Sequence, residues 1–216
     1  MKIEDQEWAI NPNTGNKINI KKVLTDIRLA SVYIDGKFPF FSTLLKNLKI
    51  ILSFQVPTAC TDGTRLIYNP EFMDKLSIRM KAFVLMHEIM HCSVDHMVRG
   101  KGHPHKRSND AADYEVNGLL CADGIVSESD LAPYLFDHKY DGMSYEHIYS
   151  LNPPSSKSQD PQMGGQEGSG GDGDGGSGDG EGNRGGGSQD NTPKSAEWIK
   201  GWNQALEDYK NGKIKL

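Results

Sequence analysis

At 216 residues, with 36% hydrophobic and 25% charged residues, the chain is long enough for one domain with a substantial core but too polar for all of it to fold. Residues 151 to 192 account for the excess polarity: they hold fourteen of the 24 glycines, seven acids and two bases, Lys157 and Arg184, so the formal charge of −5 resides there and the rest balances 22 acids against 22 bases. A folded part without surplus Lys and Arg speaks against nucleic-acid binding, and no apolar run is long enough to cross a bilayer, which points to a protein with no membrane partner.

Residues 1–17, with the turn-rich NPNTGN, read as a loosely attached N-terminal arm. From Ile18, the positions Ile20, Val23, Leu24, Ile27, Ser31 and Ile34 recur at three and four residues and predict an amphipathic helix ending near Asp35-Gly36. Phe41, Leu44, Leu45 and Leu48 continue at helical spacing, and a β-rich stretch follows from Ile50 to Val56. Thr61-Asp62-Gly63 is a turn signal and RLIY after it a strand, so extended pieces on either side of the turn suggest a small sheet.

Asn69-Pro70 ends that strand. Ser77 is placed to cap a helix running to about Val98, Lys101 to Ser108 reads as a polar loop, and a further helix fits Asn109 to Leu120. Residues 125–150 are apolar enough to close a core without clear periodicity, apart from a short helix at Ser144 to Leu151. Residues 152–192 read as a self-repelling linker, since their Gly-Asp pairs lack the nine-residue period of calcium-binding β-rolls. In 193–216, Ser195 can cap a helix with Trp198, Trp202, Leu206 and Tyr209 on one stripe, suited to docking on its own domain or on a protein partner.

Chemistry concentrates in VLMHEIMHCSVDH, residues 84 to 96. On a helix His87 and His91 share one face, at ligand distance from a single ion, while Glu88 projects about 100° away and can work beside a metal-bound water. Zinc would lower the pKa of that water toward about 7 and the carboxylate would take its proton. Catalytic zinc needs a third protein ligand. His96 lies five residues beyond His91, about 140° round a continuous helix, and would face away from the metal. Its expected role is to pack or to brace a ligand. Asp113 in NDAADYEVN is the better candidate, with Asn117 one turn on placed to hydrogen-bond a ligand histidine from outside, and Glu115 a weaker choice.

These residues give the chain a resemblance, over Ile18 to Leu151, to the metallopeptidase domains of the zincin superfamily found in bacteria and phages, often fused ahead of a von Willebrand factor A-like domain. TDGTRLIYNPEFM, VLMHEIMHCSVDHMVR and NDAADYEVNGLL carry it. The resemblance implies an α+β, zincin-like fold with helices packed on a small sheet, zinc on the HExxH helix, and the third ligand from the following helix. It also implies a packing role for His96 and Arg99. No von Willebrand domain follows in this sequence.

The expectation is therefore a zinc-dependent hydrolase acting on a protein or peptide. His87, His91 and Asp113 would bind metal, Glu88 would act as general base, and the strand Arg65 to Tyr68 would pair with an extended substrate. His138, Tyr140 and Tyr145 are weak candidates for substrate or oxyanion contact. The competing expectation is a catalytically inactive zinc-containing adaptor that recruits a partner through the C-terminal helix. A nucleic-acid role for Arg99, Lys101, Lys106 and Arg107 around GKGHPHKR gives way to an ordinary solvated loop. Cys60, Cys92 and Cys121, an odd number without a CxxC pair or a signal peptide, suggest free and mostly buried thiols in the cytoplasm.

Overall fold

In the computed structural model, which describes residues 3–154 together with Glu207 and Asn211, helices pack against two small sheets in an α+β arrangement. The glycine-rich tract from residue 155 and the stripe of Trp198, Trp202, Leu206 and Tyr209 lie outside the described residues. Among the described residues no helix is long and apolar enough to cross a membrane.

The N-terminal segment is bound into the fold, contrary to its reading as a loose arm. Strand β1 (Trp8–Ile10) pairs antiparallel with β2 (Lys17–Asn19). The polar turn between them closes on Glu71: Asn11 Nδ2, Thr14 Oγ1 and Asn16 Nδ2 donate to its carboxylate at 2.6, 2.7 and 2.9 Å. Polarity misled because these side chains are satisfied inside the molecule rather than by water. The Thr14, Asn16 and Lys75 donors hold the Glu71 carboxyl down to about 2. A carboxyl depressed from 4.5 stabilises the fold above that pH and loses its contribution as pH falls toward about 2. Glu71→Ala is expected to cost about 1–3 kcal/mol and to expose the 11–16 turn to protease, read by thermal denaturation and limited proteolysis at pH 7.

Helix α1 (Ile20–Lys37) starts where the Asn19 side chain accepts from Lys22 N, and its buried residues Ile20, Val23, Ile27, Ala30 and Ile34 form the expected stripe. That stripe lies against helix α4 (Ile78–Ser93), which also packs on helices α2 (Pro39–Leu45) and α6 (His105–Ala122) and on strand β4 (Ala59–Thr61). Each fully buried aliphatic side chain there contributes about 1.5–3 kcal/mol. Eleven residues of α4 are buried, so its ionisable groups need partners inside the protein. Lys81, 1% exposed, finds Asp26 of α1 at 3.1 Å.

The second sheet has the order β3-β5-β4, with β3 (Lys49–Leu52) parallel and β4 antiparallel to β5 (Arg65–Tyr68). Asp62 closes the β4–β5 turn by accepting from Thr64 N and Arg65 N, and Gly63 takes the φ of +80° that the turn requires. This order corrects one expectation: β5 is paired on both sides, so an extended substrate cannot add to it. Among the described strands, the edges are β3 and β4.

After Asn69, whose side chain accepts from Glu71 N and Phe72 N, comes the short helix α3 (Pro70–Lys75). Ser77 caps α4 as expected, accepting from Met80 N. The expected continuous helix to Val98 is broken. It ends at Ser93, Asp95 takes a left-handed conformation (φ 62°, ψ 31°), and α5 (His96–Arg99) sets off in a new direction. Aspartate tolerates that region better than most residues, which a pattern of apolar spacings does not register.

Helix α6 starts directly after Pro104, so half of the expected loop Lys101 to Ser108 is helical, as suits a proline preceding a helix. Beyond α6 come α7 (Glu128–Leu131), a 3-10 turn at His138–Tyr140 and α8 (Tyr145–Ser150); the turn and α8 both dock on α6, with Tyr140, Tyr145 and Ile148 clustered with Ala111, Ala112 and Tyr114.

Candidate metal centre

Helices α4 and α6 pack so that His87, His91 and Asp113 converge, and among the described residues these three form a group able to hold a metal ion. Asp113 Oδ1 stands 3.4 Å from His87 Nε2 and 3.2 Å from His91 Nε2, and the two Nε2 atoms are 2.8 Å apart. An ion with tetrahedral ligands at about 2.0–2.1 Å spaces the ligand atoms about 3.3 Å apart. The two carboxylate distances fit as they stand, and the histidines would open by about 0.5 Å.

Hydrogen positions follow from the outer partners. Asn117 Nδ2 donates to Leu135 O at 2.9 Å, which turns its Oδ1 toward His87 Nδ1, also at 2.9 Å. An amide oxygen only accepts, so His87 carries hydrogen on Nδ1 and a neutral ring presents a bare Nε2 to the centre. Asn109 Nδ2 donates to Asp113 Oδ2 at 3.0 Å, leaving Oδ1 aimed at the two histidines and, among the described residues, without a hydrogen bond. Lone pairs therefore converge in a site where His87 is fully buried and His91 and Asp113 nearly so. Such a donor set suits a cation.

Charge effects divide the two histidines. Burial alone would lower the His87 pKa, but Asp113 and Glu88 outweigh it and raise it. Burial and the neighbouring His87 take His91 down to about 4, so it stays neutral. Burial opposes ionisation of Asp113, yet the two histidines hold its pKa below the usual carboxylate value.

Glu88 is 0% exposed, and among the described residues neither of its oxygens has a hydrogen-bond partner. Burial, with Asp113 adding and His87 opposing, pushes its carboxyl up to about 7. That is the range in which a carboxylate exchanges protons at neutral pH.

Sequence reasoning missed Tyr68. Its hydroxyl is wholly buried with no hydrogen-bond partner among the described residues, and burial together with the Glu88 charge pushes its pKa well above 10.0. In RLIY it reads as one more apolar strand residue, and only the tertiary fold places its hydroxyl where it feels the Glu88 charge. Tyr68→Phe is expected to leave melting temperature equal or higher, because an unpartnered buried hydroxyl is lost, while slowing any peptide cleavage at least tenfold. Unchanged cleavage would assign Tyr68 to packing alone.

The three weak candidates bond elsewhere. The Tyr145 hydroxyl meets Ser108 Oγ at 2.7 Å and His103 Nδ1 at 2.9 Å. Tyr140 packs against Tyr114 with ring centroids 4.6 Å apart. His138 is 60% exposed in its side chain and pairs with Asp141 and Glu128. His96 does not face away: the break at Asp95 brings its Nδ1 to 2.9 Å from His91 Nδ1. Glu115 lies outside the triad, against His96 and Arg99. None of the three cysteines is in a disulfide, and Cys60 and Cys92 are buried.

No curated protein and no solved structure matches the chain. One family does, over residues 25–215, a span reaching past Leu151 through the glycine-rich tract. On that match the chain belongs to the family described as "Putative metallopeptidase domain".

Proposed function

We propose that the chain is a zinc-dependent hydrolase, a peptidase of HExxH type with a zincin-like fold, in which His87, His91 and Asp113 hold the ion and Glu88 is the general base. The observation that carries the reading is the convergence of Asp113 Oδ1 and the two Nε2 atoms, with the outer partner of His87 holding its hydrogen on Nδ1. Zinc, when bound, supplies Lewis acidity that polarises a peptide carbonyl and acidifies water.

The chain's own residues would do the rest. Glu88, poised near neutrality and unpartnered, takes a proton from the attacking water and returns it to the leaving amine. Tyr68 brings a buried hydroxyl into the surroundings of Glu88, and we assign it the donor role toward the developing oxyanion. An extended substrate would add to the edge strand β4, which packs on α4, rather than to β5. Cysteines without disulfides suit work in the cytoplasm.

One observation favours the alternative, a zinc-containing adaptor that binds a partner through residues 193–216: His87 and Glu88 are both 0% exposed, so a substrate needs the site to open. Metal analysis of protein purified without chelators, joined to an unbiased peptide-library digest, separates the readings. One equivalent of zinc with cleavage is the expected result. Zinc without cleavage supports the adaptor, and absence of metal overturns both.

A further inference from the structure

We propose that Glu115 is a positioning residue for the metal centre: acting through His96, its carboxylate selects the ring tautomer in which His91 offers a bare Nε2 to the ion. The inference rests on the metal reading above and carries it outward, to a group that touches neither metal nor substrate.

The His91 and His96 Nδ1 atoms are 2.9 Å apart, so a single hydrogen lies between them. That pair alone does not decide which ring owns it. The other nitrogen of His96 does. His96 Nε2 lies 2.5 Å from Glu115 Oε2, and a carboxylate can only accept, so His96 carries its hydrogen on Nε2. A neutral His96 then has a lone pair on Nδ1, and the shared hydrogen belongs to His91 Nδ1. His91 Nε2, 3.2 Å from Asp113 Oδ1, is left bare.

The reverse assignment fails twice. With His96 neutral, it sets the His96 Nε2 lone pair against the Glu115 carboxylate, and in any case it moves the His91 hydrogen onto Nε2, where metal would bind. Both histidines are 6% exposed, so water does little to soften the choice. Arg99 adds a positive charge beside Glu115, with Nη1 at 3.4 Å from Oε2. Arg99 is held in turn by both oxygens of Glu146 on α8, at 2.7 and 2.8 Å. The left-handed Asp95 makes the relay possible by turning His96 back toward His91. His87 obtains the same orientation from Asn117, so each histidine of the triad has its own device.

Glu115→Gln keeps the shape and removes the choice, because an amide can either donate to or accept from His96 Nε2. The test uses the full chain, first zinc-free, with ring-nitrogen NMR of ¹⁵N-histidine, then with zinc in competition with a chromophoric chelator. In the parent, His91 should carry hydrogen on Nδ1 and His96 on Nε2. In the variant the His91 Nδ1–H form should decline and zinc affinity should fall at least about tenfold, the usual cost of losing an outer partner of a metal ligand. The opposite tautomer on either ring of the parent overturns the relay, and that measurement does not depend on the variant folding. So does a folded variant with parental tautomers and zinc affinity within about twofold of the parent. A parent with the expected tautomers that takes up no zinc overturns the metal reading and leaves the tautomer selection standing.

Discussion

Glu88→Gln is expected to lower peptide cleavage by about 10²–10⁴-fold, the span assigned to a general base, with zinc content unchanged. The side chain is buried with both oxygens unpartnered, so the amide fits the same space and the triad is untouched. The substitution also carries a signature independent of activity. In zinc-free protein the carboxyl is pushed up from 4.5 to about 7, so between those values the folded state binds more protons than the unfolded. Parent stability should therefore fall as pH rises through that window, and the glutamine variant should lack that part of the slope. Thermal denaturation in chelator from pH 5 to pH 8 reads the difference, and a peptide-library digest reads the loss of cleavage. A variant that cleaves at the parental rate removes Glu88 from the chemistry.

Asp113→Asn should lower zinc affinity by more than about 100-fold, beyond the loss expected for an outer partner such as Glu115. It removes the anionic ligand and leaves two buried imidazoles facing an amide. Asp113 also favours the protonated form of His87 in zinc-free protein, once burial is outweighed. Zinc must displace that proton, so parental affinity should rise with pH through the range where His87 titrates, and the asparagine variant should show a weaker dependence. Competition titrations at several pH values check both effects. Parental affinity in the variant would place the third ligand elsewhere.

Much of this site is legible before any folding is considered. His87 and His91 one turn apart, and Asp113 and Asn117 one turn apart, are local facts of helical geometry, and the stripe Ile20, Val23, Ile27 and Ile34 names the buried face of α1 in the same way. The break at Asp95 is harder to read. A single residue in the left-handed region alters no hydrophobic spacing, yet it reverses the direction of His96 and turns a residue expected to face away into a bonded neighbour of His91. The N-terminal segment escaped for a different reason. Its polar side chains resemble a solvated turn until Glu71, some sixty residues on, is brought against them.

By itself, then, the sequence indicated most of the long helices, the faces that carry His87, His91 and Asp113, and the residue types that suit a metal, because each depends on spacings of three or four along one element. Tertiary structure decided what depends on contacts between elements. The order β3-β5-β4 put β5 between two neighbours, the fold buried the Tyr68 hydroxyl where it feels the Glu88 charge, and the α4–α6 interface brought Asp113 Oδ1 to the two histidines. A nitrogen's hydrogen is set by whatever faces its other side, and in this chain those partners, Asn117 and Glu115, come from a different helix than the histidines they orient.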